Sequence, residues 1–379
     1  MKKTLVFIVL FIIQYNLKGQ INTDSLEYRL RPDSLKTGEL HLSINNFNFL
    51  RNLEYFNKIQ DGYTLFGAQL EPQLMYFAHP RLLITTGVHL RKDFGGTGIY
   101  RTLPLISVKY QHGNTTLING TLEGNVNHRM LEPIFDFERT ITEPVEYGTQ
   151  FMISNKRLFL DAFINWKKMI YKPSPVQEQV LGGISTDVKL INRKKLNLSI
   201  PVQLTVFHKG GQIDVSPEPL QTIVNTAIGF KMKALSNGFI NSVRTENYLI
   251  TFDDFSFTYV LPYTKGYGLY LNAGVDTKYG SLIGTYWKGR TFFSSNGMPL
   301  YQSISQHINN TGYTEDNRNL LMLRYTFQKK LLPNLYMDFR FEPFIDMGRA
   351  LGSRKVEFSN SSYLVYRQSF KILKTRKDR

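Results

Sequence analysis

Residues 320–347 read LLMLRYTFQKKLLPNLYMDFRFEPFIDM. From Leu335 to Met347, the odd-numbered positions Leu335, Met337, Phe339, Phe341, Pro343, Ile345 and Met347 are all apolar. Asp338, Arg340, Glu342 and Asp346 alternate with them, and Tyr336 and Phe344 lie near the ends of the charged face. A period of two places these two sets on opposite faces of a β-strand. The stretch is about twice the usual globular strand of about 5–6 residues and fits a tilted strand crossing a bilayer, which needs about 9–11. The preceding run sets Leu321, Leu323, Tyr325 and Phe327 against Arg324, Thr326 and Gln328 and returns through KKLLPN. Long strands with one oily face, one charged face and a tight turn are the parts of a transmembrane β-barrel; a soluble sandwich is the competing arrangement.

The same pattern recurs outward from this hairpin. Hairpins are predicted over 64–91, 103–124, 145–169 and 180–207, after a first strand over 39–49 and a loop over 51–61. Further strands fall at 222–233, 239–250, 255–263, 266–289 (one strand or two) and 362–373. Pro72 and Pro343 interrupt strand ladders and predict bulges there. The glycines of KDFGGTGIYR, 92–101, lack the lysine and following helix of a phosphate cradle and read as an external loop. Short connections (AHPR, HGNT, SNKR, INRKK, YTKG, KKLLPN) alternate with long polar ones. Barrels of the outer membrane have short periplasmic turns and long external loops, and a sandwich has no cause for that asymmetry. The reading is an all-β chain: a single transmembrane antiparallel β-barrel of about 14 strands, with 12–16 allowed.

The first residues, MKKTLVFIVLFIIQYNLKGQ, form a secretory signal peptide over 1–19, cleaved between Gly19 and Gln20. A periplasmic leader, 20–38, lying outside the barrel, the barrel itself, 39–373, and a basic tail, 374–379, complete the predicted organisation. With no cysteine, disulfides, thiolate metal sites and lipoprotein acylation are excluded. The net charge is +16, or +13 without Lys2, Lys3 and Lys18. For an exported chain without a nucleic-acid motif, this points to anionic lipid headgroups, glycans or phosphorylated solutes and away from nucleic acid.

The signal ending in Gly-Gln, the aromatic long-stranded body and the asymmetric turns resemble those of outer-membrane β-barrel proteins of the Bacteroidota. The resemblance implies residence in the outer membrane, contact with its lipid and lipopolysaccharide, and association with other outer-membrane or periplasmic proteins in some members. It is architectural and extends over nearly the whole mature chain.

Glu71, Arg91, Lys109, Lys167, Arg324, Asp338, Arg340, Glu342 and Asp346 are predicted to face the lumen, along with His89, Asp161, Asp187, Lys189, Lys231 and Lys233. Mixed charges there either pair with one another in a closed interior or line a water-filled channel of basic bias. Arg91 and Lys167, near the outer end, are the candidates for solute contact. Serine–histidine lipid hydrolysis requires a nucleophile and base in reach. None of the seven histidines, His128 in its long loop included, has a local serine motif. The expectation is therefore a non-enzymatic barrel without cofactor or metal, Asp253, Asp254 and Glu246 being a weak oxygen set for calcium. Two functions follow: a porin-like or substrate-specific channel for small anionic solutes, or a non-enzymatic accessory subunit of an outer-membrane assembly or secretion complex.

Overall fold

The computed structural model describes residues 25–349 and 355–374, so the predicted signal peptide and most of the basic tail lie outside the described residues. The chain closes into one antiparallel barrel of 16 strands. In order these are β1 (Glu39–Glu54), β2 (Thr64–His79), β3 (Leu82–Asp93) and β4 (Arg101–His112). Then come β5 (Thr115–Thr121), β6 (Tyr147–Ser154), β7 (Leu158–Lys168) and β8 (Gln179–Asn192). The third quarter holds β9 (Leu196–Lys209), β10 (Gln221–Leu235), β11 (Ile240–Asp254) and β12 (Lys265–Thr277). The last four are β13 (Gly280–Arg290), β14 (Asn317–Leu332), β15 (Leu335–Asp346) and β16 (Val356–Lys374). Each strand pairs with its sequence neighbour, and β16 closes on β1, so the sheet has no edge strand.

The count of about 14 is corrected to 16. Residues 266–289 are two strands, β12 and β13, joined at Lys278–Tyr279, while 255–263 is a loop. Consequently YTKG, 263–266, belongs to an outer connection, not to a short turn. β1 runs on through 51–54, where a loop was expected, because its alternation continues: Arg51 and Leu53 are buried and Leu50 is exposed. The prolines do not mark bulges. Ladder pairs lapse beside Pro72 and Pro343, yet the register is the same on both sides, as expected where only an N–H is missing.

Outward residues form the lipid-facing belt. Tyr76, Tyr110 and Tyr366 are exposed near the short-turn end, and Phe66, Trp166 and Tyr267 near the other. These are the aromatic girdles that flank the apolar band of an outer-membrane barrel. The belt places the protein in the outer membrane, in contact with its lipid. On β15, Phe339 faces out, while Asp338, Arg340, Glu342 and Asp346 are buried inside.

The lumen is filled by three segments. The loop over 122–146 carries a 3-10 turn (Asn125–His128) and a short helix α1 (Arg139–Thr142), and folds inward as a plug. The loop over 291–316 packs on it: Met298 N–H donates to Glu132 O (2.8 Å) and Asp136 N–H to Asn296 O (2.7 Å). Only glycine fits where the two cross, since a Cβ on Gly297 would lie 1.9 Å from Pro133 O. Ile134, Leu131, Leu300, Tyr301 and Trp287 form the shared apolar core. The third segment is residues 25–31 of the predicted leader, which lie within the barrel where a position outside it was expected. Ser25 hydrogen-bonds Asp338, Tyr28 N–H donates to Asn127 Oδ1 (3.0 Å), and Arg367 donates to the carbonyls of Leu26 and Glu27.

Candidate functional site

β5 and β6 are 7 and 8 residues long, against 11 to 19 for the other strands. At ~3.3 Å per residue and a tilt of ~40°, they rise roughly 20 Å, short of the ~25 Å apolar band. β4 pairs with β5 only from Ser107 onward, leaving Arg101–Leu105 bonded to β3 alone. Pro104, which has no N–H to leave unpaired, sits on that open edge. Side chains bridge the gap instead of a ladder: Ile106 N–H donates to Thr121 Oγ1 (2.9 Å) and Tyr147 Oη to Pro104 O (2.8 Å). Arg101 reaches across to Thr142 O of the plug (3.1 Å). Gly120 permits the tight turn-in of β5, with φ of +102° and Ile106 O 2.2 Å from where a Cβ would lie. The wall is therefore notched where the plug leaves it.

Behind the notch lies a polar cavity of about 140 Å³. Leu105, Thr121, Pro144 and Val145 line its notch side, and Glu71, Thr85, Ser107, Lys109, Glu123 and Arg367 its deeper walls. Two histidine–carboxylate clusters flank it. Towards β2 and β3, His89 Nδ1 is 2.9 Å from Glu71 Oε1, while its buried Nε2 has no hydrogen-bond partner. Towards β6 and β7, His128 of the plug is fully buried and stacks on Phe163 with ring centroids 3.7 Å apart. Its Nδ1 is 3.1 Å from Asp161 Oδ2 and its Nε2 3.1 Å from Glu146 Oε2. Gln150 Nε2 donates to both oxygens of Asp161 at 2.9 Å and so fixes that carboxylate.

Burial alone would push the His128 ring down, but the charges of Asp161 and Glu146 outweigh it and raise it to about 9. Burial would likewise push Glu146 up, and the His128 charge prevails, holding it at about 2. At neutral pH the pair is an imidazolium and a carboxylate. Glu146 also accepts from Asn125 N–H (2.9 Å) and Asn165 Nδ2 (3.3 Å). Its carboxylate thus rests in a cradle of three donors, one of them charged, immediately beside Tyr147 and the notch. His128 and Asn165 meet at Oε2 and Asn125 N–H at Oε1, a set of fixed donors of the kind that stabilises developing negative charge. Lys167 and Arg139 pair with Glu143 nearby at 3.2 and 2.9 Å, making this end of the notch cationic.

The predicted lumen residues lie as follows. Glu71 bonds His89 and Asn45; Arg91 bonds Asp93 and donates to Ile141 O of the plug; Lys109 pairs with Glu123 at 3.2 Å. Lys167 holds Glu143 and Asn296, so both it and Arg91, marked for solute contact, are engaged with the plug. Arg324, Arg340 and Glu342 form one network with Glu132 of the plug and Arg51 of β1. Asp338 bonds Ser25 and Gln328, and Asp346 pairs with Arg318 at 2.9 Å. Among the described residues, no three acidic or histidine side chains are grouped to hold a metal. Glu246 and Asp254 face inward half a strand apart on β11, and Asp253 faces the other side. Sequence reasoning missed the cradle. His128 sits in a polar loop, and its partners are 18 and 33 residues away.

These features define an outer-membrane β-barrel with an occupied lumen and a side entrance. The chain belongs to the lipid A 3'-O-deacylase-type family, whose sequence model matches residues 30–375. That membership overturns the expectation of a non-enzymatic barrel, because the family is one of acyl-ester-cleaving enzymes. No curated protein matches the chain. Among solved structures, it is similar to a loop-deleted form of OmpT, an outer membrane protein of Vibrio cholerae. The identity is 9% and the TM-score 0.50, over 87% of this chain and 99% of that one. It is also similar to Pseudomonas aeruginosa OprD at 11% identity and TM-score 0.47, covering 93% and 100%. At 9% identity the likeness to OmpT is one of fold alone, a closed β-barrel.

Proposed function

We propose that this barrel hydrolyses an ester-linked acyl chain of an anionic glycolipid in the outer leaflet, lipid A being the substrate that the family's name suggests. The lipid enters sideways through the β4–β6 notch. The observation that carries this reading is the three-donor cradle of His128, Asn125 and Asn165 placed at the foot of that notch. Arg101, Arg139 and Lys167 supply positive charge for the lipid's phosphates. In the resting structure Glu146 occupies the cradle as a stand-in for the oxyanion.

When the ester carbonyl displaces it, Glu146 is left beside the carbonyl as a carboxylate no longer paired with His128. It takes a proton from water, and the water oxygen bonds to the carbonyl carbon. The resulting oxyanion accepts from His128 Nε2–H, Asn125 N–H and Asn165 Nδ2. Collapse breaks the bond between the carbonyl carbon and the sugar oxygen, and Glu146 returns its proton to that oxygen. The products are a fatty acid and a free hydroxyl. Asp161, pinned by Gln150, keeps the ring oriented and charged.

The test is mass spectrometry of lipid A from cells, or from vesicles, carrying the protein. Loss of one acyl chain with the wild type, and none with Glu146→Gln in a barrel that remains heat-modifiable, supports the reading. Unchanged lipid with the wild type, or full activity of the variant, refutes it.

A second reading, passage of small solutes, is supported by the closed-barrel fold and the polar cavity lined by Lys109 and Arg367. It requires movement of the plug, and steps of conductance in planar bilayers would reveal it.

A further inference from the structure

The lipid-facing side of β1 is not uniformly apolar. Leu40, Leu42 and Ile44 are followed on the same face by Asn46, Asn48, Leu50, Asn52 and Glu54. The register places Asn46 level with Leu70 and Asn48 level with Ala68 of β2. Both positions fall between Phe66 and Tyr76, the aromatic residues that bound the belt on that strand. The two carboxamides therefore lie at hydrocarbon depth. Across the closing seam, β16 sets Ser362 beside Leu50 and Asn360 beside Asn52, again on the outer face.

The stripe is organised but incompletely satisfied. Asn48 Nδ2 donates to Asn46 Oδ1 (2.6 Å), and Asn46 Nδ2 to Gln69 O (3.0 Å). Asn48 Nδ2 also reaches Leu364 O across the seam (3.4 Å), but among the described residues Asn48 Oδ1 accepts no hydrogen bond. A carboxamide on the far wall shows the contrast. Asn247 of β11 accepts from Asn272 N–H (3.0 Å) and donates to Thr245 Oγ1 (2.7 Å), so its own barrel satisfies both ends. Polar groups held open towards hydrocarbon are costly and mark contacts within the membrane.

We infer that the β1–β16 stripe is the contact surface for a second copy of this chain. All copies in one membrane share an orientation, so a two-fold axis along the membrane normal brings each depth of the stripe against the same depth of its partner. A carboxamide carries donors and an acceptor together, which makes it complementary to an identical carboxamide at that level. Ala68 and Ser362, small residues flanking the asparagines, let the two walls approach closely, as small residues do where membrane segments pack. An apolar lipid chain would satisfy none of these groups, and a charged partner would find no charge of opposite sign at this depth.

The absence of native cysteine makes the test direct. Asn48→Cys and, as control, Leu249→Cys on the outward face of β11 are oxidised in intact outer membranes, after heat-modifiability shows that both barrels are folded. The expected result is a disulfide dimer from Asn48→Cys and monomer from Leu249→Cys. Native mass spectrometry of gently extracted wild type should show a doubled mass that Asn46→Leu/Asn48→Leu reduces to the single mass. Equal cross-linking at the two positions overturns the inference. So does capture of a different protein, or a single mass with lipid bound, in place of the second copy.

Discussion

Two sectors of one barrel wall are built to opposite ends. Around β14, β15, β16 and β1 the strands run 12 to 19 residues, and the inner face is a closed ionic network. Glu132 of the plug bridges Arg324 and Arg340, Glu342 joins both, and Arg51 holds Glu138 at 2.8 Å. Arg340 also lies over the Phe137 ring, 3.9 Å from its centroid. Around β4, β5 and β6 the wall drops below the apolar band, and a buried carboxylate sits in a cradle of donors beside the gap. The tall sector anchors the plug. The low sector exposes one edge of it to the lipid layer, and a carboxylate resting in a cradle of fixed donors is chemically useful only there. Charge burial alone does not distinguish anchor from reactive site; access does.

The largest expected effect breaks the low sector. Glu146→Gln should abolish deacylation, and His128→Asn should lower its rate by roughly 10²–10³, the usual cost of removing an oxyanion donor. In both, the folded, heat-modifiable barrel is retained. The pH profile sharpens the assignment. Because the imidazolium is the working form, activity should fall as pH rises through about 9. Asp161→Asn, which removes a negative charge from the ring, should move that falling limb to lower pH. The same sign applies to the plug's stability. The raised His128 pKa stabilises the docked plug fully below the unfolded value near 6.5, and that contribution is lost as pH climbs through about 9. Limited proteolysis of the 122–146 loop should accelerate over that range in the wild type and not in His128→Asn.

The next effects break the tall sector. Glu132→Ala leaves Arg324 and Arg340 without their shared carboxylate and should cost about 3–5 kcal/mol in plug docking, read as protease sensitivity or as new conductance in planar bilayers. Phe339→Arg puts a charge on the lipid face and should cost about 2–4 kcal/mol of folding stability if at the midplane, measured by equilibrium urea unfolding in vesicles. The smallest effect is Tyr147→Phe, which deletes the bond to Pro104 O across the notch. It should cost about 0.5–1.5 kcal/mol locally and raise hydrogen exchange along the β4 edge without loss of activity.

Much of the wall was legible from residue order alone, because a half-buried strand writes its two faces into alternate letters. Asp338, Arg340 and Glu342 against Phe339 and Phe341 show this most plainly. The strand count was harder to read. Lys278 and Tyr279 turn the chain with no proline or asparagine to announce it, and RNLE looks like loop chemistry although Arg51 and Leu53 point inward. The low wall was hidden as well, since β5 and β6 alternate like any other hairpin and only their partners reveal that they stop short. The cradle was illegible for a further reason. Two of its donors come from the plug turn Asn125–His128 and the third from β7, brought together by closure of the barrel and not by any local motif.

The central claim is that lipid reaches the cradle sideways. The chain has no cysteine, so Pro104→Cys/Tyr147→Cys can be bridged across the notch by a short bismaleimide after the barrel has folded in vesicles containing lipid A. The bridged protein should deacylate no lipid A, while the unbridged double variant and a barrel bridged elsewhere on the outer rim remain active. Full activity of the bridged protein would contradict lateral entry.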